Sequence, residues 1–318
     1  MGAVSAEELK ARQELPLDYK VMLSQSAITQ WYERFEGKVY VSFSGGKDST
    51  VLLDIVKGMY PDVPAVFCDT GMEYPEVRAH AMEKADEVIR PKMSFKKVIE
   101  KYGYPFPSKE QALYINQYRH TKSEHMRQLR WNGYPQNGNF GISKKWRFLC
   151  DAPFEVSHKC CDVMKKRPFH EYEKQTGRKP YIGTMACESR LRFQEYLQHG
   201  CNTHGVKREK STPLGFWTEN DVLAYLKQKD IAIPSCYGEI VETADGYATT
   251  GVERTGCMFC MFGVAQDKEP NRFQQMQDTY PKQYAYCINK LGIGEVLDYA
   301  GIPYECQPTL FDGEEVMA

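Results

Sequence analysis

Apolar positions in the first third of the chain switch period in a regular alternation. Between residues 5 and 36 they recur at helical spacing, with Ile28, Trp31, Tyr32 and Phe35 on one face. Ser5 followed three residues later by Glu8 is a capping-box start for that stretch. Residues 39–43 (VYVSF) then read as a strand, and residues 47 to about 58 as a helix. A second strand is expected at 65–68, a helix from about 75 to 85, a third short strand at 87–90 and a further helix at 94–102. Strands alternating with helices, each joined by a crossover, predict an α/β fold: a parallel sheet with helices on both faces. In such sheets ligands sit beyond the C-terminal strand ends, where the turns at Gly45-Gly46 and Gly71 fall.

The pattern loosens over residues 103–150, which are polar, aromatic and basic, with Asn-Gly and Gly-Asn turn signals around 132–139. A helix is expected at 159–166, a returning strand at 179–183 and a helix at 218–229. Residues 236–256 have hairpin character, and helices near 270–300 precede a polar tail. There is no internal repeat and no linker that cuts the core. The expected division is an N-terminal helical segment (1–36), a catalytic domain (37–235), and a cysteine-bearing segment with C-terminal helices (236–318).

Composition narrows the setting. The formal net charge is −1, so any attraction to nucleic acid must come from local patches. The N-terminal residues are charged and lack the apolar run of a signal peptide, and no stretch reaches about 18 apolar residues. A cytoplasmic protein with no membrane partner is expected, and a homodimer is compatible with the sequence. Eleven cysteines, two adjacent and two spaced as C-x-x-C, do not look like a secreted disulfide framework. In a reducing compartment such clustered thiols more often bind metal or do chemistry.

The chemistry begins where the first strand meets its helix, at Ser44-Gly45-Gly46-Lys47-Asp48-Ser49. A strand–glycine turn–helix unit presents backbone N–H groups at a helix N-terminus, where negative charge is favoured. Lys47 adds a point charge for phosphate oxygens, Ser44 and Ser49 add hydroxyls, and Asp48 suits Mg²⁺. The spacing is not that of the Walker A loop. It resembles the SGGxDS loop of the ATP pyrophosphatase (PP-loop) superfamily. That resemblance implies ATP as ligand: the loop grips the β- and γ-phosphates while an acceptor oxygen attacks the α-phosphorus and pyrophosphate leaves.

Two further stretches, Asp69-Thr70-Gly71-Met72-Glu73-Tyr74-Pro75-Glu76 and Ile182-Gly183-Thr184-Met185-Ala186-Cys187-Glu188-Ser189-Arg190, resemble segments of the phosphoadenosine and adenosine phosphosulfate reductases. Asp69, Thr70, Gly71 and Arg190 are the nucleotide-site residues this resemblance implies. Met185 stands where those reductases carry an arginine. Their first loop is degenerate, because their substrate already bears its sulfate, whereas the loop here is complete, with Lys47. This favours ATP itself as substrate.

Cys160-Cys161 and, far downstream, Cys257-Met258-Phe259-Cys260 supply four thiols. By spacing alone they suit tetrahedral zinc or an iron–sulfur cluster. The pattern resembles that by which assimilatory adenosine phosphosulfate reductases hold a [4Fe–4S] cluster, and that resemblance implies the cluster here. Glu305-Cys306-Gln307 shares its first two residues with the terminal nucleophile motif of the phosphosulfate reductases. Cys306 and Cys150 are therefore the candidate sulfur carriers, with inert thiols as the plainer reading. Basic stretches at 118–130, 144–147, 165–167 and 207–210, the first two interleaved with Tyr118, Trp131 and Trp146, suit a hydrated face or a DNA backbone equally.

The function these features imply is adenylation of an acceptor oxygen for sulfur incorporation, with a cysteine desulfurase as sulfur donor. It is closest in character to the ATP pyrophosphatases of DNA phosphorothioation (Ssp and Dnd type). The alternatives are a phosphosulfate reductase that makes sulfite with thioredoxin or glutathione, and a tRNA thiolation enzyme.

Overall fold

The computed structural model describes residues 4–136 and 138–306; Asn137 of an expected turn, Gln307 of the expected tail motif and the polar tail lie outside them. Helices α1 (Ala6–Gln13) and α2 (Leu17–Arg34) lead into β1 (Val39–Phe43). Then come α3 (Lys47–Met59), β2 (Ala65–Cys68), α4 (Pro75–Lys84) and β3 (Glu87–Ile89). Residues beyond 92 add α5 (Phe95–Tyr102), α6 (Lys109–His120), α7 (Glu124–Asn132) and a 3₁₀ helix (Lys144–Cys150). The chain continues with α8 (Arg167–Thr176), β4 (Lys179–Ile182), α9 (Arg190–His199), short β5 (Asn202–Thr203) and β6 (Lys210–Ser211). It finishes with α10 (Glu219–Gln228), the hairpin β7 (Ile240–Thr243) and β8 (Gly246–Thr249), then α11 (Arg272–Thr279), α12 (Pro281–Ala285) and α13 (Ile293–Tyr299).

Six strands form the main sheet in the order β3-β2-β1-β4-β6-β5, parallel except for β5. In register, Val41 of β1 faces Ala65 on one side and Tyr181 on the other. β1 therefore has a neighbour from earlier crossovers on one flank and the returning β4 on the other. That reversal opens a crevice at the C-terminal end of β1. Strands β1 and β2 are nearly continuous buried runs and β4 is buried at its two central residues, as a parallel sheet covered on both faces requires.

The stretch over 5–36 expected to be helical consists of two helices, because Pro16 cannot continue α1 and instead sets the start of α2. The Ser5 hydroxyl accepts the Glu8 N–H at 3.0 Å, as the cap signal implied. Residues 103–150, expected without regular elements, contain α6, α7 and the 3₁₀ helix. The signal lay in serine caps: Ser108 accepts from the Gln111 N–H at 3.2 Å and Ser123 from the Met126 N–H at 3.3 Å.

The chain divides into two compact units, each built from two separate stretches: Met1–Lys92 with Lys165–Cys257, and Met93–Met164 with Met258–Ala318. The boundaries expected at 36/37 and 235/236 fall inside the first unit. Its core takes in Leu9, Ile28 and Trp31 of the leading helices beside Val41, Phe43 and Tyr181 of the sheet and Trp217. The β7–β8 hairpin also belongs there, with the Tyr247 N–H donating to Asn220 Oδ1 at 2.8 Å. Residues 93–164 leave the expected catalytic domain for the second unit, where Phe95 stacks near Phe259, and Phe148 and Phe154 meet Tyr299. Apolar faces pack against whichever stretch completes their burial, so contiguity in sequence does not set the division. Among the described residues no helix is long and apolar enough to cross a membrane.

Candidate functional site

The crevice at the end of β1 is a cavity of about 420 Å³ built wholly from the first unit. Its floor is the turn from β1 into α3. Gly45 holds φ +78°, and a Cβ there would stand 2.6 Å from the Val77 carbonyl oxygen of α4. A Cβ on Gly46 would stand 3.1 Å from the Tyr237 hydroxyl. The first glycine is thus required by backbone conformation and close packing, and the second keeps room for an aromatic ring. Hydroxyls close the turn. Ser44 and Ser49 Oγ atoms are 2.9 Å apart, while Ser49 and Thr50 each donate to the Gly46 carbonyl at 3.0 Å. The positive end of α3 faces the cavity.

Lys47 is buried, and its Nζ donates to Glu219 Oε1, at the start of α10, at 2.8 Å. The same ammonium lies 5.1 Å from the centre of the Tyr237 ring. The Tyr237 hydroxyl in turn pairs with Thr255 Oγ1. Asp48 also lines the cavity. Burial holds its carboxyl above the usual range, the Glu219 charge adds to this, and Lys47, Arg254 and Arg192 pull the other way. Arg192 and Arg254 both line the cavity, and burial together with the neighbouring Arg254 lowers the Arg192 guanidinium. Arg192 is steadied by an ion pair with Glu188 one helical turn away. Two cations and the Lys47 ammonium around one polar pocket with an amide-lined turn suit a polyanionic ligand.

Of the residues the sequence singled out, Ser44, Gly46, Lys47, Asp48 and Ser49 line this cavity, and Gly45 shapes its turn. Asp69, Thr70 and Gly71 follow β2 but do not line it; their neighbours Cys68 and Glu73 do. Asp69 is occupied by Arg78, through two hydrogen bonds of 2.8 Å, and by Arg90 at 3.2 Å. The Arg78 hydrogen bonds, despite burial, hold the Asp69 carboxyl below its ordinary value. Arg190 is exposed at the first turn of α9 and does not line the cavity, whereas Arg192 does. Glu219, Tyr237 and Arg192 were not singled out from the sequence. Glu219 comes from a segment with no motif, and only the tertiary fold brings it to Lys47.

The cysteines divide between units. Cys160, Cys161 and Cys260 belong to the second, and Cys257 is the last residue of the first. Burial, then nearby groups including Cys161, raises the Cys260 thiol. Among the described residues no group of three or more His, Cys, Asp or Glu side chains is gathered into the geometry of a metal site. The four-thiol set therefore rests on its sequence pattern and on the soft donor chemistry of its ligands. Cys150 and Cys306 also lie in the second unit. Burial pushes the Cys150 thiol up to about 11, which leaves it almost wholly protonated at neutral pH. Cys306 is raised by desolvation and by the Asp278 carboxylate, 3.6 Å from its Sγ.

A cavity with this lining at the switch point of a mostly parallel sheet defines an α/β protein whose strand ends carry a site suited to a polyanionic ligand. The chain belongs to the phosphoadenosine phosphosulfate reductase domain family, whose model matches residues 38–261. It is 24% identical to an adenosine 5′-phosphosulfate reductase of Staphylococcus haemolyticus, over 64% of this chain and 67% of that protein. An adenosine 5′-phosphosulfate reductase of Geobacillus kaustophilus is likewise 24% identical, over 70% of this chain and 77% of its own. An uncharacterized protein of Methanocaldococcus jannaschii is 23% identical over 84% of this chain and 52% of its own length. The chain thus spans about half the length of that relative. The solved phosphoadenylyl-sulfate reductase of Candida auris, a phosphate complex, aligns with 73% of this chain and 91% of its own at 16% identity and a TM-score of 0.37.

Proposed function

We propose that this chain is an ATP pyrophosphatase that adenylates an acceptor oxygen so that sulfur can replace it, as in DNA phosphorothioate modification. The observation that carries the reading is Lys47, buried in the wall of the cavity beside a complete Ser44–Ser49 turn. A ligand whose chemistry releases no pyrophosphate has no need of that ammonium.

On this reading the α3 N-terminus and Lys47 hold the β- and γ-phosphates, and Arg192 and Arg254 neutralise charge that develops as the leaving group departs. The acceptor oxygen attacks the α-phosphorus, the α–β bridging P–O bond breaks, and pyrophosphate leaves with the electron pair. Asp48 and Glu219 are the carboxylates that would hold Mg²⁺, which supplies charge neutralisation when bound. Cys160, Cys161, Cys257 and Cys260 would hold a [4Fe–4S] cluster, which supplies a reducible centre with inorganic sulfide. A persulfide sulfur delivered from a cysteine desulfurase would then attack the adenylated acceptor and displace AMP, and a second thiol would supply the two electrons that cleave the resulting S–S bond and leave the sulfur on the acceptor.

A second reading is favoured by the named relatives: reduction of adenosine phosphosulfate to sulfite, with the Glu305-Cys306 thiol as nucleophile. One experiment separates the two. Protein purified without oxygen is given ATP and Mg²⁺ and assayed for pyrophosphate; in parallel it is given adenosine phosphosulfate with thioredoxin and assayed for sulfite. Pyrophosphate release that falls at least about 100-fold in Lys47→Ala, with an unchanged melting profile, is the expected outcome. Sulfite without ATP consumption would replace the adenylation reading by the reductive one.

A further inference from the structure

The second unit carries a surface that the nucleotide pocket does not use. Residues 109–150 contain eight Lys and Arg against two Glu, in a chain whose net charge is −1. Both glutamates are engaged: Glu110 accepts from the Tyr114 hydroxyl at 2.9 Å, and Glu124 pairs with Arg127 at 3.5 Å. Lys122, Lys144 and Lys145 are exposed and pair with no described carboxylate.

Helix geometry gathers several of these charges. Arg127 and Trp131 are four residues apart on α7 and share a face. Trp131 stacks on Tyr118, ring centres 5.3 Å apart, and the Arg147 guanidinium lies 4.4 Å from the Trp131 ring centre. Arg147 also donates to the Trp131 carbonyl at 2.7 Å, fastening the 3₁₀ helix to α7. Residues three apart eclipse in a 3₁₀ helix, so Lys144 stands on the same side as Arg147. Lys145 lies 4.8 Å from the Trp146 ring centre. Three large rings near this strip face water: Tyr134 is 44% exposed, Phe140 49% and Phe148 38%. Tyr134 and Phe140 meet edge-on at 5.2 Å, and the Phe140 carbonyl is tied to α7 by Arg130 at 2.8 Å.

Exposed cations next to exposed rings are the two components of a single-strand site: charges track phosphates, and rings stack unpaired bases. A duplex hides its base faces and would engage the charges alone. We propose that this surface binds single-stranded nucleic acid, with Arg127, Lys144 and Lys145 on phosphates and Phe140, Tyr134 and Phe148 under bases. The proposal names the acceptor class for the adenylation reading and rests on that reading only for the purpose of the bound strand.

The test uses the intact chain without ATP. Labelled single strands of about 20 nucleotides, DNA and RNA, and a DNA duplex of the same length are titrated by fluorescence anisotropy between about 50 and 200 mM salt. The expected result is single-strand binding about tenfold tighter than duplex; the DNA and RNA arms show which sugar is preferred. Lys144→Gln with Lys145→Gln lowers the slope of log affinity against log salt by about 1.4. Tyr134→Ala with Phe140→Ala weakens binding about tenfold and leaves that slope unchanged. Neither pair alters acceptor-independent pyrophosphate release. Duplex binding as tight as single-strand binding, affinity indifferent to both variant pairs, or no binding at all overturns the proposal. Loss of pyrophosphate release with strand binding intact counts against adenylation and upholds the surface.

Discussion

Lys47 stands in its pocket already paired with Glu219, and on the adenylation reading a phosphate must displace that carboxylate to reach it. A carboxylate 2.8 Å from the ammonium competes directly with an incoming phosphate oxygen. Glu219→Gln removes the competitor while keeping the shape. Pyrophosphate affinity measured calorimetrically without divalent ions is expected to rise about three- to tenfold. The Mg²⁺-dependent rate is expected to fall, because one of two carboxylates beside the phosphates is gone. An unchanged affinity would mean that Lys47 does not meet the ligand. Asp69 offers a contrasting test, since it serves structure first. Its native carboxyl is depressed by Arg78 and Arg90, so it contributes stability above the unfolded value near about 3.9 and loses it as pH falls through the native value. Asp69→Asn is expected to cost about 2 kcal/mol at pH 7 by chemical denaturation. The gap from wild type should close in acid, once the protonated wild-type residue no longer holds the arginines.

At the scale of elements, helices from distant stretches are fixed by a few buried polar links. Lys20 of α2 donates to Asp221 of α10 at 2.7 Å and to the Gln13 carbonyl at 2.7 Å, with both charged residues buried. Asp221 also accepts from the Thr218 N–H and hydroxyl, closing the cap of α10, the helix that carries Glu219. Lys20→Ala would strand a buried carboxylate, at a cost of about 3–5 kcal/mol in equilibrium unfolding. It should also lower the Mg²⁺-dependent rate of pyrophosphate release, because the α10 start that positions Glu219 shares that carboxylate. Elements with a strong apolar period were legible in the sequence: β1, α3, β2 and the short β3 all stand within a residue or two of expectation. α6 and α7 were not, because their faces mix aromatic and basic residues; only their serine caps announced them.

For the whole molecule, the consequential feature is interleaving. The four expected cluster thiols sit on three separate stretches, Cys257 closing the first unit and the others in the second. If these thiols hold iron and sulfide, protein prepared without oxygen is coloured, and Cys257→Ser is expected to bleach it while Cys306→Ser leaves it unchanged. Equal visible absorbance in wild type and Cys257→Ser would reject the ligand assignment.

The strand–turn–helix alternation, the glycine turn between β1 and α3 and the alternation of buried strands were determined by the sequence itself, since each depends on neighbours within a few residues. The units did not follow chain order, because burial rewards any stretch that covers an apolar face, however distant. The partners of Lys47 and Asp69 were decided only by the tertiary structure. Glu219 lies 172 residues from the lysine it neutralises, and no local period or propensity can register a charge that the crossover of the sheet delivers.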